Sequence, residues 1–330
     1  MSRLRVVEFV RGGDGVWSLP GPIVAATAAR FPEVEFRSPI DREAAERELP
    51  GADVVIGWPV RPENFAACER LRWVHLTAAG VGSMLFPELV ASDVILTNSR
   101  GLHATSISEH VLGMMLALVR KLHDSRDAQR DARWTQDQQW LGPPSFGQLE
   151  GATLGLVGLG AIGSAIAVRA RAFGMRVIAV RRRPSRSDGV VEESWGPERL
   201  GDLCAQSDFV VFCTPLTGAT RGMLGAAEIA RMRPTAFVVN IGRGPVIDEP
   251  ALITALQENR IAGAALDVFA EEPLPASSPL WSMPQVIVTP HVSGFGPRLW
   301  ERAMEIFARN LRAFLDGTPM ENVVDKVAGY

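Results

Sequence analysis

The segment TLGLVGLGAIGSA, residues 153–165, decides the fold. Its first five residues, Thr153 to Val157, form a short, largely apolar run suited to a buried strand. Gly158, Gly160 and Gly163 follow, and the spacing then predicts a helix over Ile162–Phe173. Glycine at 158 permits a tight turn, at 160 it lets a pyrophosphate approach the backbone, and at 163 it lets helix pack on strand. Amides at the helix start then meet an anion, which the helix dipole favours. A glycine motif alone is weak evidence, because glycine-rich turns are common. Here a strand precedes it, a helix follows, and a further strand is expected at Arg176–Val180, which is the context of a dinucleotide site. Gly158, Gly160, Ala161, Ile162 and Gly163 are therefore the expected cofactor-binding turn.

The same alternation extends in both directions and predicts parallel α/β architecture throughout. Before the motif, strands are expected at Arg5–Phe9, Val34–Phe36, Asp53–Gly57, Trp73–Leu76 and Val94–Thr97, with helices near Pro22–Arg30, Arg42–Glu48 and Glu63–Cys68. A longer helix is expected over Ser106–Lys121, where Ile107, Val111, Met114, Met115 and Leu118 follow helical spacing. After the motif, strands are expected at Phe209–Cys213, Ala236–Asn240, Ala264–Asp267 and Val286–Thr289. Helices fit Ala226–Met232, Glu249–Asn259 and Arg298–Leu315, the last stopped near Gly317 and Pro319. Residues 123–150 are polar and contain Pro143 and Pro144, so they are expected to form an irregular arm. Trp134 and Trp140 within it either mark an interface or cap the core.

Composition narrows the functional classes. The 330 residues suit two cores better than one. Hydrophobic residues make up 47%, charged residues 22%, and the net charge of -3 carries no basic surplus for nucleic acid. The longest aliphatic stretch, Val111 to Val119, is too short to span a bilayer, and the first residues lack the apolar centre of a signal peptide. Cys68, Cys204 and Cys213 have no metal-ligand spacing, so no metal is expected. A cytoplasmic location is the default expectation.

The expected strand Arg176–Val180 ends where a dinucleotide fold places its discriminating residue. An acid there binds the ribose hydroxyl of NAD, and guanidinium groups pair with the 2′-phosphate of NADP. The chain reads Arg181, Arg182, Arg183. NADP is thus expected in preference to NAD, against the blander reading of a solvated basic loop.

Three further signatures sit at expected strand ends: NIGRG at 240–244, DVFAEEP at 267–273 and TPHV at 289–292. Each puts a charged or titratable group at the carboxyl edge of a parallel sheet, where ligands bind. Taken singly, an Arg or Glu is usually a solvated charge and a His often structural. Together, downstream of a nucleotide motif, they point to an active site.

With these segments the sequence closely resembles the D-isomer-specific 2-hydroxyacid dehydrogenase family over essentially its whole length. The resemblance rests on GLGAIG, on TPLT at 214–217 with Thr220, on NIGRG, on DVFAEEP and on TPH. It implies two doubly wound parallel-sheet domains, a Rossmann nucleotide-binding domain inserted in a flavodoxin-like substrate domain. The implied boundaries are 1–101 and 298–330 for the substrate domain and 102–297 for the nucleotide domain. It also implies a homodimer, which would give the arm an interface role.

The resemblance implies that Arg243, Glu272 and His291 are the catalytic set. Arg243 would pair with the substrate carboxylate through its planar fork and polarise the ketone. His291 would give the ketone oxygen its proton, and Glu272 would hold the imidazole and favour its charged form. Thr214, Pro215, Thr220, Ile241, Gly242 and Asp267 would join the glycine turn, Arg181 and Arg182 around the cofactor. Ala79, Gly80 and Val81 match a loop whose amides bind the substrate carboxylate, although Gly82 stands where many relatives carry Asp. Trp58, following the strand that ends at Gly57, either lines the substrate pocket or belongs to the core. The expected activity is reduction of a small 2-oxo acid such as glyoxylate or hydroxypyruvate to the D-2-hydroxy acid. The alternatives are a dehydrogenase of another small anion such as phosphite, and a dinucleotide-sensing protein like the family's corepressors.

Overall fold

The computed structural model describes residues 3–11, 17–183 and 189–329. The chain divides into two compact units. One is Met1–Leu102 with Gly296–Tyr330, and the other is the uninterrupted segment His103–Phe295. The second unit is thus an insertion in the first. Met1, Ser2 and Tyr330, at the ends of the expected substrate domain, lie outside the described residues.

The first unit is built on strands β1 (Leu4–Phe9), β2 (Val34–Arg37), β3 (Val54–Gly57), β4 (Trp73–Leu76) and β5 (Ile95–Asn98), all parallel, in the order β2-β1-β3-β4-β5. That is the flavodoxin-type order. Strands β3 and β4 are buried along their whole length, which is why they read as continuous apolar runs. The helix Leu299–Asp316 covers one face, with Met304, Phe307 and Leu311 packed against Val6, Val54 and Ile56. Phe307 stacks on Trp73 with ring centroids 5.2 Å apart. The tail then shields the open edge of β5: the Val324 amide donates to Leu96 O, and Lys326 Nζ donates to the carbonyls of Leu89, Ser92 and Val94.

The second unit holds seven parallel strands: β6 (Thr153–Val157), β7 (Arg176–Val180), β8 (Glu193–Trp195), β9 (Phe209–Phe212), β10 (Phe237–Asn240), β11 (Gly263–Leu266) and β12 (Val286–Val288). Their order, β12-β11-β10-β9-β6-β7-β8, reverses direction between β6 and β9. A crevice for ligands opens at such a reversal. The helices Ala104–Val119 and Ala161–Ala172 bury Val111, Met115, Ile166 and Ala170 against Leu154, Val177 and Phe209.

One expectation fails in part. Residues 123–150 are not wholly irregular: helices form at Leu122–Arg130 and Gln136–Leu141. Neither buries an apolar stripe, with Ala128 alone buried, so no periodic signal announced them. Buried Lys121 starts the segment in a left-handed conformation, φ 51°, and its Nζ donates to the carbonyls of Gln139 and Gly142 at 2.7 Å. Trp134 and Trp140 do not cap a core, being 87% and 71% exposed. The pattern also passed over β8 and the helices Pro87–Ala91 and Leu200–Gln206, all too short for a period to repeat.

Gly57 ends β3 at φ +97°, and a Cβ there would lie 2.2 Å from Phe9 O. Gly57→Ala is therefore expected to cost about 2 kcal/mol or more. A clearly lowered thermal midpoint checks this, and an unchanged one would contradict it.

Candidate active site

Five turns meet at the carboxyl edge of the seven-stranded sheet, after β6, β9, β10, β11 and β12. Glycines let them pack backbone to backbone. Gly158 turns at φ +103° and its amide donates to Val180 O at 2.9 Å. A Cβ on Gly163 would lie 2.3 Å from Gly158 O, so only glycine lets the helix Ala161–Ala172 start there. Gly160, its N-cap, faces open space and offers no side-chain cap, leaving the first amides free for an anion. Beneath the turn, Cys213 Sγ donates to Gly158 O at 2.9 Å. Burial pushes that thiol up to about 12, so it is an inert strut and not a nucleophile.

The turn after β9 is self-bonded. Thr220 Oγ1 donates to Pro215 O at 2.6 Å and accepts from the Thr217 amide. Thr214 Oγ1 is buried and has no hydrogen-bond partner among the described residues. Buried hydroxyls are rarely left so, and a polar ligand atom would complete it. The open face of Gly160, the uncapped helix start and this hydroxyl together fit a dinucleotide phosphate. Arg181, Arg182 and Arg183 follow β7 directly beside the glycine turn, with the Arg181 amide donating to Trp195 O.

After β10, the Gly242 amide donates to the Asn240 side chain, and the Asn240 amide group donates back to Arg243 O. A Cβ on Gly242 would lie 2.7 Å from Thr214 O, and one on Gly244 only 1.8 Å from Phe269 C and O. Ile241 is buried, while Arg243, between the two glycines in sequence, is exposed. The turns bearing Thr214, Arg243 and Glu272 are therefore pressed together in one row.

After β11 and β12 two residues of the sequence-predicted set, Glu272 and His291, come together. His291 Nδ1 lies 2.7 Å from Glu272 Oε2, and Glu272 Oε1 accepts from the Phe269 amide at 2.9 Å. Since the carboxylate accepts, Nδ1 carries the hydrogen and Nε2 is left for proton exchange. His291 itself is left-handed, φ 53°. Asp267 holds it so: this fully buried carboxylate accepts from Thr289 Oγ1 and from the amides of Val292 and Ser293, while Asp267 O accepts the His291 amide. Strain of this kind concentrates at functional sites.

Two imidazoles escaped sequence reasoning. His110, on the helix Ala104–Val119, places Nε2 3.2 Å from Thr289 Oγ1 and 4.0 Å from Asp267. His103 places Nδ1 2.9 Å from Gly294 O. Burial lowers the pKa of both; Arg243 lowers that of His103 further, whereas Asp267 opposes the effect at His110. Neither stands in a motif, and only the fold brings them beside the 289–294 turn.

The remaining candidates belong to the first unit. Ala79 and Gly80 are exposed and Val81 is buried, in the loop after β4. Trp58 is partly buried against both cores of that unit. Among the described residues no group of His, Cys, Asp and Glu could hold a metal, and no helix is long and apolar enough to cross a membrane.

The profile of the D-isomer specific 2-hydroxyacid dehydrogenase NAD-binding domain matches residues 112–293. The chain belongs to this family. It is 37% identical over 269 residues to a glyoxylate reductase of Thermococcus gammatolerans, covering 80% of this chain and 79% of that one. It is 33% identical over 299 residues to a D-3-phosphoglycerate dehydrogenase of Methanocaldococcus jannaschii, covering 89% of this chain but only 55% of that longer protein. A solved NADPH-dependent glyoxylate/hydroxypyruvate reductase of Sinorhizobium meliloti, in complex with NADP and sulfate, superposes with a TM-score of 0.82 at 30% identity, covering 99% of this chain and all of the other. As a member of the family the chain is an NAD(P)-dependent dehydrogenase of the 2-oxo acid and 2-hydroxy acid couple.

Gly244→Ala is expected to force the Arg243 and Glu272 turns apart by an ångström or so, costing about a hundredfold in turnover. Steady-state rates on protein with an unchanged circular dichroism spectrum check this, and wild-type rates would contradict it.

Proposed function

We propose that the chain reduces small 2-oxo acids, glyoxylate or hydroxypyruvate among them, to D-2-hydroxy acids, with NADPH preferred over NADH. The observation that carries this reading is the 2.7 Å His291–Glu272 pair in one row of turns with Arg243. The named reductases among its relatives support the substrate class.

The dinucleotide, when bound, supplies the hydride for the ketone carbon. Gly158, Gly160, Ala161, Ile162 and Gly163 would hold its phosphates, with Thr214, Pro215, Thr220, Ile241, Gly242 and Asp267 beside them. Arg181 and Arg182 would pair with a 2′-phosphate. Arg243 would grip the substrate carboxylate and draw charge toward the ketone oxygen. His291 would deliver a proton to that oxygen from Nε2, and Glu272 would stabilise the imidazolium waiting to do so. Ala79, Gly80 and Val81 would receive the carboxylate through their amides, and Trp58 would border the substrate side chain. We further propose a homodimer using the exposed Trp134 and Trp140 arm, and a cytoplasmic location.

Three measurements test the reading. kcat/KM should be higher with NADPH than with NADH, and a clear NADH preference would contradict the role of Arg181 and Arg182. His291→Ala should lower kcat by about 10²- to 10⁴-fold while NADPH still binds; an unchanged kcat would remove it as the acid. Glu272 holds His291 through Nδ1 at 2.7 Å. Glu272→Gln should therefore lower kcat by about tenfold or more while NADPH still binds, and an unchanged kcat would remove Glu272 from proton transfer.

A further inference from the structure

The loop after β4 carries three amides, of Ala79, Gly80 and Val81, for which no acceptor exists among the described residues. Its carbonyls are occupied. Ala78 O accepts from the Ser99 amide at 3.1 Å, and Ala79 O accepts from Asn98 Nδ2 at 2.8 Å. In a trans peptide the N–H points opposite to the C=O. The amides of Ala79 and Gly80 therefore both point away from Asn98 and Ser99, side by side. Successive amides aimed the same way form a concave nest that binds anions.

Behind this loop runs a buried chain of hydrogen bonds with a single consistent direction. Trp73 Nε1 donates to Thr97 Oγ1 at 2.8 Å. Thr97 Oγ1 lies 2.8 Å from His75 Nδ1, and His75 Nε2 lies 3.3 Å from Ser99 Oγ. Ser99 Oγ donates to Leu76 O at 3.1 Å. Thr97 and Ser99 each have one hydrogen to give. Ser99 spends its own on Leu76 O, so His75 must donate from Nε2 and accept at Nδ1. Only the neutral Nε2–H imidazole satisfies every member. Burial pushes the pKa of His75 down to about 3, in keeping with that form. His75, Thr97 and Ser99 are each fully buried.

We propose that Asn98 and Ser99 are positioning residues that shape residues 78–81 into an anion-binding nest for the substrate carboxylate, with the Trp73–Thr97–His75 chain fixing Ser99. This rests on the reading of Ala79, Gly80 and Val81 as the carboxylate loop, and names what makes the loop competent. Asn98 is the sharper probe because its Nδ2 bond to Ala79 O sets the peptide plane that aims the Gly80 amide. Its Oδ1 is spent on the Arg100 amide.

The test is Asn98→Asp, which keeps the shape but replaces the donor with an oxygen facing Ala79 O, beside Ser99→Ala. Oxamate, a carboxylate analogue of a 2-oxo acid, is titrated into 15N-labelled protein saturated with NADPH, and the Gly80 amide resonance is followed. KM and kcat for glyoxylate, and NADPH affinity, are measured on the same samples. Wild type should show a saturable Gly80 shift. Asn98→Asp should weaken oxamate and raise KM about tenfold, with kcat changing far less and NADPH affinity kept. Ser99→Ala should act in the same direction. Oxamate binding at Gly80 without turnover of any 2-oxo acid would remove the proposed activity and leave the nest standing. Equal oxamate affinities in wild type and Asn98→Asp, or no Gly80 response in wild type, would overturn the inference.

Discussion

Everything at the carboxyl edge of the seven-stranded sheet depends on backbone touching backbone. Gly163 against Gly158 O, Gly242 against Thr214 O and Gly244 against the Phe269 carbonyl leave no room for a Cβ. The first shapes the turn after β6, and the other two draw the turns after β9, β10 and β11 into one row. Arg243 and Glu272 sit on turns joined this way, and His291 is bonded to Glu272 from the next turn along. The glycines bring the turns together, and the hydrogen bonds then fix what each turn presents.

Buried charge and buried dipoles do the fixing. Asp267 is a carboxylate with no exposed surface, and its cost of burial is offset by a hydroxyl and two amides. Those same bonds hold His291 in a left-handed conformation that a side-chain-bearing residue seldom adopts. The first unit uses a neutral version of the device. There a chain of donors and acceptors through His75 ends on Leu76 O, the last residue of the strand before the loop whose amides stand unpaired.

Much of this was legible in the sequence. Strands such as Val54–Gly57 and Phe209–Phe212 are buried on both faces, so composition alone revealed them. The glycine turn, Arg243, Glu272 and His291 were legible because each sits in a compact motif at a strand end. The arm was misread because the helices Leu122–Arg130 and Gln136–Leu141 are held by Lys121 and polar contacts and bury almost nothing. His103, His110, Asn98 and Ser99 were invisible for another reason. Their partners lie far along the chain or across a sheet, and a lone polar residue carries no period.

The reaction proposed for this edge moves a hydride from a nicotinamide to the carbon of a 2-oxo acid. Following the isotope tests it most directly. With NADPH carrying deuterium at both C4 positions, the enzyme is given hydroxypyruvate, and the glycerate is resolved by chiral chromatography and mass spectrometry. D-glycerate bearing one deuterium at C2 is the expected product. Unlabelled glycerate, the L enantiomer, or no glycerate at all would contradict hydride transfer to the carbon of a 2-oxo acid at this edge.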